Sequence, residues 1–546
     1  MAEQGSNYNN RDENPMMLSR RQMLVGLGLG ATALAAGMAG CSSPKGQDAA
    51  PSQAEEDIEA APSLKEPTQT IEADIVVVGS GMGGMSAAVT AAEEGANVVV
   101  LEKQSILGGG TNFAEGVFGM GSDLQKEAGV NGNLLDLIKL ELEFQRYIVD
   151  YTLWDFVVAG AEENLKWLID HGVEFVELGD GPYAGIRTQH MYVDHRGSNM
   201  IAKLEEAALD LGVDIHKSTP ATHLLMDGEK VVGVQAESGK DIINVNAKAV
   251  ILATGSAGEN NELFDRYTTR HSEKYAWCGA PGLTGDGIKM AVEAGMGEPF
   301  RLMAPIVGTT VEPLGVASHL ASLGAMNPYV LWVNQDGIRF TDEGLTRAYT
   351  TSANAVESQY KTYSIVDQAL FDRLVSDGDP NVGWGYYVLK GTPLTDAPQE
   401  LEQELSRGSE NVFKAESIAD LAAALGMDAA TLEKTVQEYN AIVDAGEDVL
   451  HSKKPVYLTD KIETSPFYAF RVKGSKVNMF GGIHINENVE VVREDQTVIP
   501  GLYAAGVECG GFQGETYGIT VPSSCQGISL STGRRSAKNA VKYAKG

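Results

Sequence analysis

The sequence predicts an α/β fold, and three observations carry that reading. Ile75 to Val78 is a short, wholly apolar run of the kind buried in a parallel sheet, and it ends in a glycine-rich turn. Val98 to Leu101 is a second such run, separated from the first by a helical segment, Met85 to Glu94. Glycine supplies 62 of the 546 residues, which suits a fold with many tight strand-to-helix turns.

Ahead of these elements stands SRRQMLVGLGLGATALAAGMAGC, residues 19 to 41. The adjacent Arg20 and Arg21 precede an uncharged run, Met23 to Ala39, whose Gly and Ala make it marginal for a stable membrane span. Charge, apolar run and small residues in this order predict residues 1–41 to be an export signal of the twin-arginine type, a route that carries folded proteins. Met38-Ala39-Gly40-Cys41 resembles the box in which a cysteine becomes the lipidated first residue of the mature chain. The expected location is extracytoplasmic, with Cys41 as a lipid anchor at the cell membrane, although one lipid anchors only modestly. Export of a folded chain implies that a cofactor is inserted beforehand. Residues 42–70 are rich in Ala, Pro, Gln and Glu, with almost no large apolar side chains, and predict a disordered tether.

The first strand then leads into Gly79-x-Gly81-x-x-Gly84, the helix follows, and Glu102 closes the second strand about 20 residues on. Gly79 makes the tight turn, Gly81 lets a pyrophosphate approach the backbone, and Gly84 lets helix pack on strand. The helix N-terminus faces the phosphates and Glu102 accepts from a ribose hydroxyl. Strand, turn, helix and acidic residue together predict dinucleotide binding.

A formal net charge of −32 argues against nucleic acid as a partner and suits a protein that meets a basic electron-transfer partner. Of the four cysteines, Cys278, Cys509 and Cys525 remain beside Cys41, scattered, with neither metal spacing nor a disulfide framework. None of the nine histidines forms a pair at metal-ligand spacing, and no metal is expected. The length exceeds one core's usual size, so two or three domains are expected.

The stretches GGGTNFAEG (Gly108 to Gly116), AVILATGSAGENN (Ala249 to Asn261), TGDGIKMAVEAG (Thr284 to Gly295) and IPGLYAAG (Ile499 to Gly506) add a resemblance. Together they resemble the flavoprotein family of fumarate reductase and succinate dehydrogenase. Within it they are most similar to the soluble branch with flavocytochrome fumarate reductase, urocanate reductase and 3-ketosteroid dehydrogenase. The likeness runs from about Ala73 to Arg534. It implies FAD as cofactor and a Rossmann-like FAD-binding domain, residues 70–299 and 463–546, interrupted by an inserted α+β capping domain, residues 300–462. Near the end of that insert, SIADLAAALGMDAATLEKTVQEYNAIVDAGED predicts two helices joined at Gly426-Met427, with Ser417 and Asp428 as N-caps.

Beside Gly79 and Gly84, the FAD contacts implied by the resemblance are Ser80, Gly81, Met82, Gly83, Glu102, Lys103, Gly109, Gly110, Thr111, Ala221, Thr254, Gly255, Asp286, Val507, Gly527 and Ile528. Two departures bear on them. Membrane-bound relatives join FAD covalently to a histidine where this chain has Gly110, so FAD is expected to be held noncovalently. The family pattern AAGE reads AAGVE here, which puts Val507 at the usual glutamate and Glu508 one place later.

The chemistry implied is hydride exchange between the flavin and a carbon–carbon bond beside an electron-withdrawing group, with a second residue moving the proton. In RFTDEGLTRAYTTSANA (Arg339 to Ala355), Arg347 falls on the family's catalytic arginine. An arginine has a pKa above about 12, so it acts as an acid only in a matched, dry site. A structural Arg347 would pair instead with Asp342 or Glu343. The dicarboxylate site does not carry over. Ala304 (before Pro305) and Asn478 stand where the family has histidines, GETYGITVPSSCQG (Gly514 to Gly527) contains no arginine, and Leu323 and Met326 replace the relay glutamate and arginine. Without a bidentate arginine clamp, a second carboxylate has no partner. The expected substrate is therefore not fumarate but an aromatic or enone compound. Tyr517 and Tyr349 stand as counterparts in role to the tyrosines of the steroid dehydrogenases, although their local patterns do not match that family and packing is the alternative for each; Tyr517 is the second catalytic candidate. His195 is expected near the cofactor domain's interface with the cap, in a structural role.

The expected function is reduction of an activated C=C bond of a small organic acceptor in anaerobic respiration. Electrons would come from a separate cytochrome or flavin protein at the membrane. A flavin dehydrogenase of the ketosteroid type working oxidatively, and a noncatalytic FAD-bearing protein, are the alternatives.

Overall fold

β1 (Gln69–Val78), α1 (Met82–Glu93) and β2 (Val98–Leu101) form the predicted strand–helix–strand unit. The computed structural model describes residues 63–546 except 131–132, 180–186, 301–303, 316, 349, 381–382, 384–387 and 519. The export signal, Cys41, most of the tether and Tyr349 lie outside the described residues. β1 starts earlier than its apolar run because its first residues pair with the strand Asp241–Leu252, Gln69 opposite Ile243 and Ala73 opposite Ala247. The end of the predicted tether is held to the same region. The Lys65 amide donates to Gln235 Oε1 at 2.8 Å, and the Thr68 amide to the Ile242 carbonyl at 2.8 Å. Main-chain pairing rather than apolar burial orders these residues, so composition does not reveal it. α1 begins three residues before the expected Met85, with Gly81 as its N-cap.

β1 lies inside an eight-stranded sheet among the described residues. Its parallel neighbours are β2 and Asp241–Leu252, and Val498–Ala504 extends it beyond the latter. These four strands end level: Val78 is opposite Leu101 and Leu252, and Leu252 is opposite Ala504. Alternate residues serve two cores. Val76, Val78, Val99, Leu101, Val250 and Leu252 face one, while Ile75, Val77, Val98, Val100, Ala249 and Ile251 face the other. With both faces covered, no polar alternation is left in the runs. The second core is closed by α1 and by the helices Gly197–Asp210 and Ser524–Lys545.

A six-stranded sheet among the described residues is built around the long strand Phe467–Phe480. It pairs with Tyr275–Trp277, Ala304–Val311, Thr362–Asp367 and Val412–Ala415, and Leu331–Asn334 adds to Thr362–Asp367. The sheet thus draws strands from 275 to 480, beyond both ends of the 300–462 segment. Long-range pairing, which no local pattern encodes, recruits the outer two. The helices Ile418–Leu425 and Ala429–Ala445 are as predicted. Ser417 and Asp428 accept from the amides of Asp420 and Thr431, and Gly426 is left-handed at the junction.

Candidate active site

Because the four strands end level, the residues just after them converge. Gly79–Gly83, Glu102–Gln104, Ala253–Gly255 and Ala505–Val507 line one cleft of about 860 Å³ at the carboxyl edge of the sheet, where α/β sheets bind ligands. Gly109, Gly110, Thr111, Ala221 and Asp286 line it too, so fifteen of the eighteen expected cofactor residues meet there.

Gly79 has φ +103°, and a Cβ on it would lie 2.1 Å from the Ala253 carbonyl oxygen. A Cβ on Gly84 would lie 2.0 Å from the Gly79 carbonyl oxygen. Only glycine allows strand, turn and helix to approach so closely. Gly84 works from behind in this packing and does not line the cleft. Gly109 differs: a Cβ there would meet nothing within 4 Å, leaving room beside the N-terminus of α1 for a phosphate. The cradle fits a flavin dinucleotide.

Glu102 Oε2 accepts from the Ser80 amide at 3.1 Å and from Ser80 Oγ at 2.6 Å, while Oε1 accepts from the Gln104 amide at 2.7 Å. These bonds aim the carboxylate along the cleft wall. Lys103 Nζ is 2.6 Å from Asp286 Oδ2 and donates to Thr284 Oγ1 at 2.9 Å, tying the β2 end to the start of the helix Asp286–Glu293.

The one-residue shift in AAGVE has a structural meaning. Val507 lines the cleft, while Glu508 turns behind it and is fully buried. Its Oε1 accepts from the Thr254 amide at 2.8 Å and its Oε2 lies 2.7 Å from Thr254 Oγ1. Thr254 Oγ1 in turn accepts from the Gly287 amide at 2.9 Å. Burial pushes the Glu508 carboxyl up to about 8.

A second cavity, of about 1530 Å³, joins the first where Gly110, Asn478 and Gln526 line both. Phe113, Ala280, Ile306, Val307, Met326, Val477, Arg347 and Tyr517 are among its walls. Arg347 is the one cation among the described residues lining it, and Glu115 is an acidic one. The ion pair considered from sequence is not what holds Arg347. Glu343 is taken up by Arg339 at 2.8 Å and Lys453 at 3.3 Å, and Asp342 accepts from the Gly344 amide. Arg347 Nη1 donates to the Gly383 carbonyl at 2.6 Å, which steers the guanidinium from the helical turn Glu343–Ala348. Tyr517 is buried, stacks on Phe480 at 5.8 Å, and its hydroxyl is 3.3 Å from Ser524 Oγ. Burial raises its pKa.

Gly527 and Ile528 do not line the cleft. A Cβ on Gly527 would meet Phe118 Cβ at 2.7 Å, and Ile528 is buried in the core. Their helix presents Gln526 and Ser529 to the cleft instead, one residue to either side, a facing that only helix rotation decides. Leu283, Gly506 and Gln104, also unforeseen, line it as well and stand next to motif residues. Leu323 is buried, whereas Met326 reaches the second cavity. His195 Nε2 lies 2.9 Å from Glu177 Oε1, lining neither cavity.

A dinucleotide cradle at the carboxyl ends of parallel strands, open onto a largely apolar cavity with one guanidinium among its described residues, is the site of a flavin-dependent oxidoreductase. The chain belongs to the FAD binding domain family, whose model matches residues 74–517. It is 32% identical over 480 residues to the vinyl phenol reductase of Lactiplantibacillus plantarum, covering 86% of this chain and 96% of that one. To the urocanate reductase of Eggerthella lenta it is 29% identical, covering 81% and 70%. Its fold is similar to the open conformation of a flavocytochrome c3 fumarate reductase, at a TM-score of 0.65 and 25% identity over 88% of this chain and 79% of that one. The protein is an FAD-dependent oxidoreductase of the fumarate reductase type, acting on CH–CH bonds.

Proposed function

We propose that this flavoenzyme reduces the activated C=C bond of a small, largely apolar acceptor, aromatic or enone in character and without a second carboxylate. One observation carries the reading: among the described residues, the cavity that meets the cofactor cleft offers a single guanidinium, Arg347, with largely apolar walls and the acidic Glu115 also in its lining. A dianion finds no second cation among the described residues there, whereas an aryl-conjugated alkene is matched by Phe113, Ile306, Val307 and Val477. The names of the similar proteins, vinyl phenol reductase above all, support the same class.

FAD held in the cleft by the residues named above would supply, when reduced, two electrons and one hydrogen as hydride to one carbon of the alkene. Arg347, aimed by the Gly383 carbonyl, supplies the second hydrogen as a proton to the neighbouring carbon. The cleft residues named above hold the cofactor, and the segment 300–462, with Arg347 in it, forms the cap of the site. The protein works outside the cytoplasm, delivered by the twin-arginine signal and anchored through Cys41. A separate cytochrome or flavin protein at the membrane feeds it in anaerobic respiration.

The test is an anaerobic screen in which the viologen-reduced protein is offered unsaturated acceptors. Vinyl phenol, other aryl alkenes or enones should reoxidise the flavin with formation of the saturated product. Reoxidation by none of them would sink the proposal.

A further inference from the structure

The substrate cavity takes its walls from segments far apart in the chain. One carries Arg347, Thr350 and Ser352, and another carries Tyr517, Cys525 and Gln526. Hydride and proton must reach neighbouring carbons of one bond, so the span between these walls matters to the reaction. A misplacement of about 1 Å can cost about a hundredfold in rate.

A third segment ties the two together. Arg270, shortly after the helix Asn261–Tyr267, is buried and lines neither the cofactor cleft nor the substrate cavity. Its Nη1 donates to Glu357 Oε2 at 2.6 Å and to the Tyr275 hydroxyl at 2.7 Å. Its Nη2 donates to Asn354 Oδ1 at 2.6 Å and to Thr516 Oγ1 at 3.4 Å. Asn354 and Glu357 belong to the helix Thr350–Glu357, and their spacing sets them on the same face as Thr350, which lines the cavity. The turn Glu343–Ala348, with Arg347 in it, precedes that helix. Thr516 adjoins Tyr517 on the other wall. Asn354 Nδ2 also donates to Thr516 Oγ1 at 3.4 Å, so helix and loop meet at one hydroxyl.

The anchor of this fork is fixed in turn. The Tyr275 hydroxyl donates on to Glu357 Oε2 at 2.7 Å. Tyr275 starts a strand, Tyr275–Trp277, of the six-stranded sheet, and its ring packs edge-on to Phe264 at 5.6 Å. A Cβ on Gly474, opposite it, would lie 2.3 Å from Tyr275 Cδ1, so the ring sits where only glycine leaves room. One planar guanidinium thus serves four side chains in two directions, which a point charge on a flexible stem does not reproduce.

We propose that Arg270 is a positioning residue of the reduction: it fixes the helix after Arg347 and the loop that carries Tyr517 at one span, and so sets where the Arg347 guanidinium stands in the cavity. The proposal rests on the function given above. Arg347 has its own side-chain anchor in the Gly383 carbonyl, and Arg270 secures the backbone that follows it. Arg270 touches no substrate and passes no proton; it acts through Arg347.

The test compares FAD-loaded wild type, Arg270→Lys, Arg347→Ala, the double variant and Thr516→Val by anaerobic stopped flow, with vinyl phenol and the acceptors from the screen. Arg270→Lys keeps a charge for Glu357 and loses the fork. Its FAD content and reduction by dithionite should match the wild type, while reoxidation at saturating acceptor slows about tenfold at little-changed KM. In the Arg347→Ala background the same substitution should cost less than about twofold, because the residue it positions is gone. Thr516→Val keeps the shape of the loop but cuts it from Arg270 and Asn354, and should slow the same step. A wild-type rate in Arg270→Lys would overturn the proposal. An undiminished tenfold loss on top of Arg347→Ala would overturn it too, since a general structural defect adds in that way. If Arg270→Lys does not hold FAD, a wild-type rate in Thr516→Val would overturn it equally. A wild type that no unsaturated acceptor reoxidises would instead overturn the function, and the positioning role with it.

Discussion

Gly110 and Asn478 face each other across the neck where cofactor cleft and substrate cavity meet: a Cβ on Gly110 would lie 3.5 Å from Asn478 Nδ2. The Asn478 side-chain oxygen Oδ1 accepts from the Met479 amide at 2.9 Å, which leaves the Nδ2 hydrogens for the neck. At this point a flavin and its substrate would have to touch, and this chain supplies a hydrogen in place of a side chain on one wall and a neutral amide on the other.

Gly110 offers no atom to bond the flavin, so FAD should leave the polypeptide on acid or heat denaturation. Filtration of the denatured protein, followed by fluorescence of filtrate and retentate, checks this. Yellow, fluorescent precipitate would mean a covalent link elsewhere.

Arg347→Ala should retain FAD and its reduction by dithionite, yet lose turnover of the unsaturated acceptor by about 10²–10⁴-fold. Arg347→Lys should recover little, because a flexible ammonium does not reproduce the planar fork aimed by the Gly383 carbonyl. Near-normal turnover in Arg347→Ala would transfer the acid role to Tyr517.

Fumarate should reoxidise the reduced protein at least about a hundredfold more slowly than the best aryl or enone acceptor, the worth of two or more lost charge-assisted contacts. Competition between fumarate and such an acceptor in one stopped-flow series gives the ratio directly. Comparable rates would show that Arg347 and Asn478 suffice to hold a dicarboxylate.

Glu508 links stability to pH. Its carboxyl is raised from an ordinary 4.5 to about 8 in the folded protein, so the folded state binds a proton that the unfolded state gives up. Its contribution to stability is therefore full below about pH 4.5 and is lost as pH rises towards 8. Glu508→Gln keeps an acceptor for the Thr254 amide and a donor for Thr254 Oγ1, and should melt with a shallower decline between those pH values. Parallel slopes for variant and wild type in a pH series of thermal melts would refute the assignment.

Export should depend on the arginine pair. Replacing Arg20 and Arg21 by Lys should trap the protein in the cytoplasm, as read by cell fractionation and by the absence of lipid on Cys41. Unchanged export would mean that residues 19 to 41 have been misread.

Much of the cofactor site is legible in the sequence because its parts are local. Gly79, Gly81, Gly84 and Glu102 fall within one strand–helix–strand unit, where spacing alone sets geometry. The caps at Ser417 and Asp428 are legible for the same reason. The resemblance added Thr254, Asp286 and Arg347, residues distant in sequence that no periodicity joins. It also carried over Gly527 and Ile528, and there the outcome depended on a helix rotation that presents Gln526 and Ser529 instead.

By itself, then, the sequence determined the α/β class and the dinucleotide turn, since each rests on residue identity at short range. Only the tertiary structure decided that Glu508 turns behind Thr254 and that Arg347 hangs from the Gly383 carbonyl. The physical reason is the same in each case. The aim of a polar group depends on its surroundings in the fold, and those come from strands and loops distant in sequence, 36 positions away for Arg347 and 254 for Glu508.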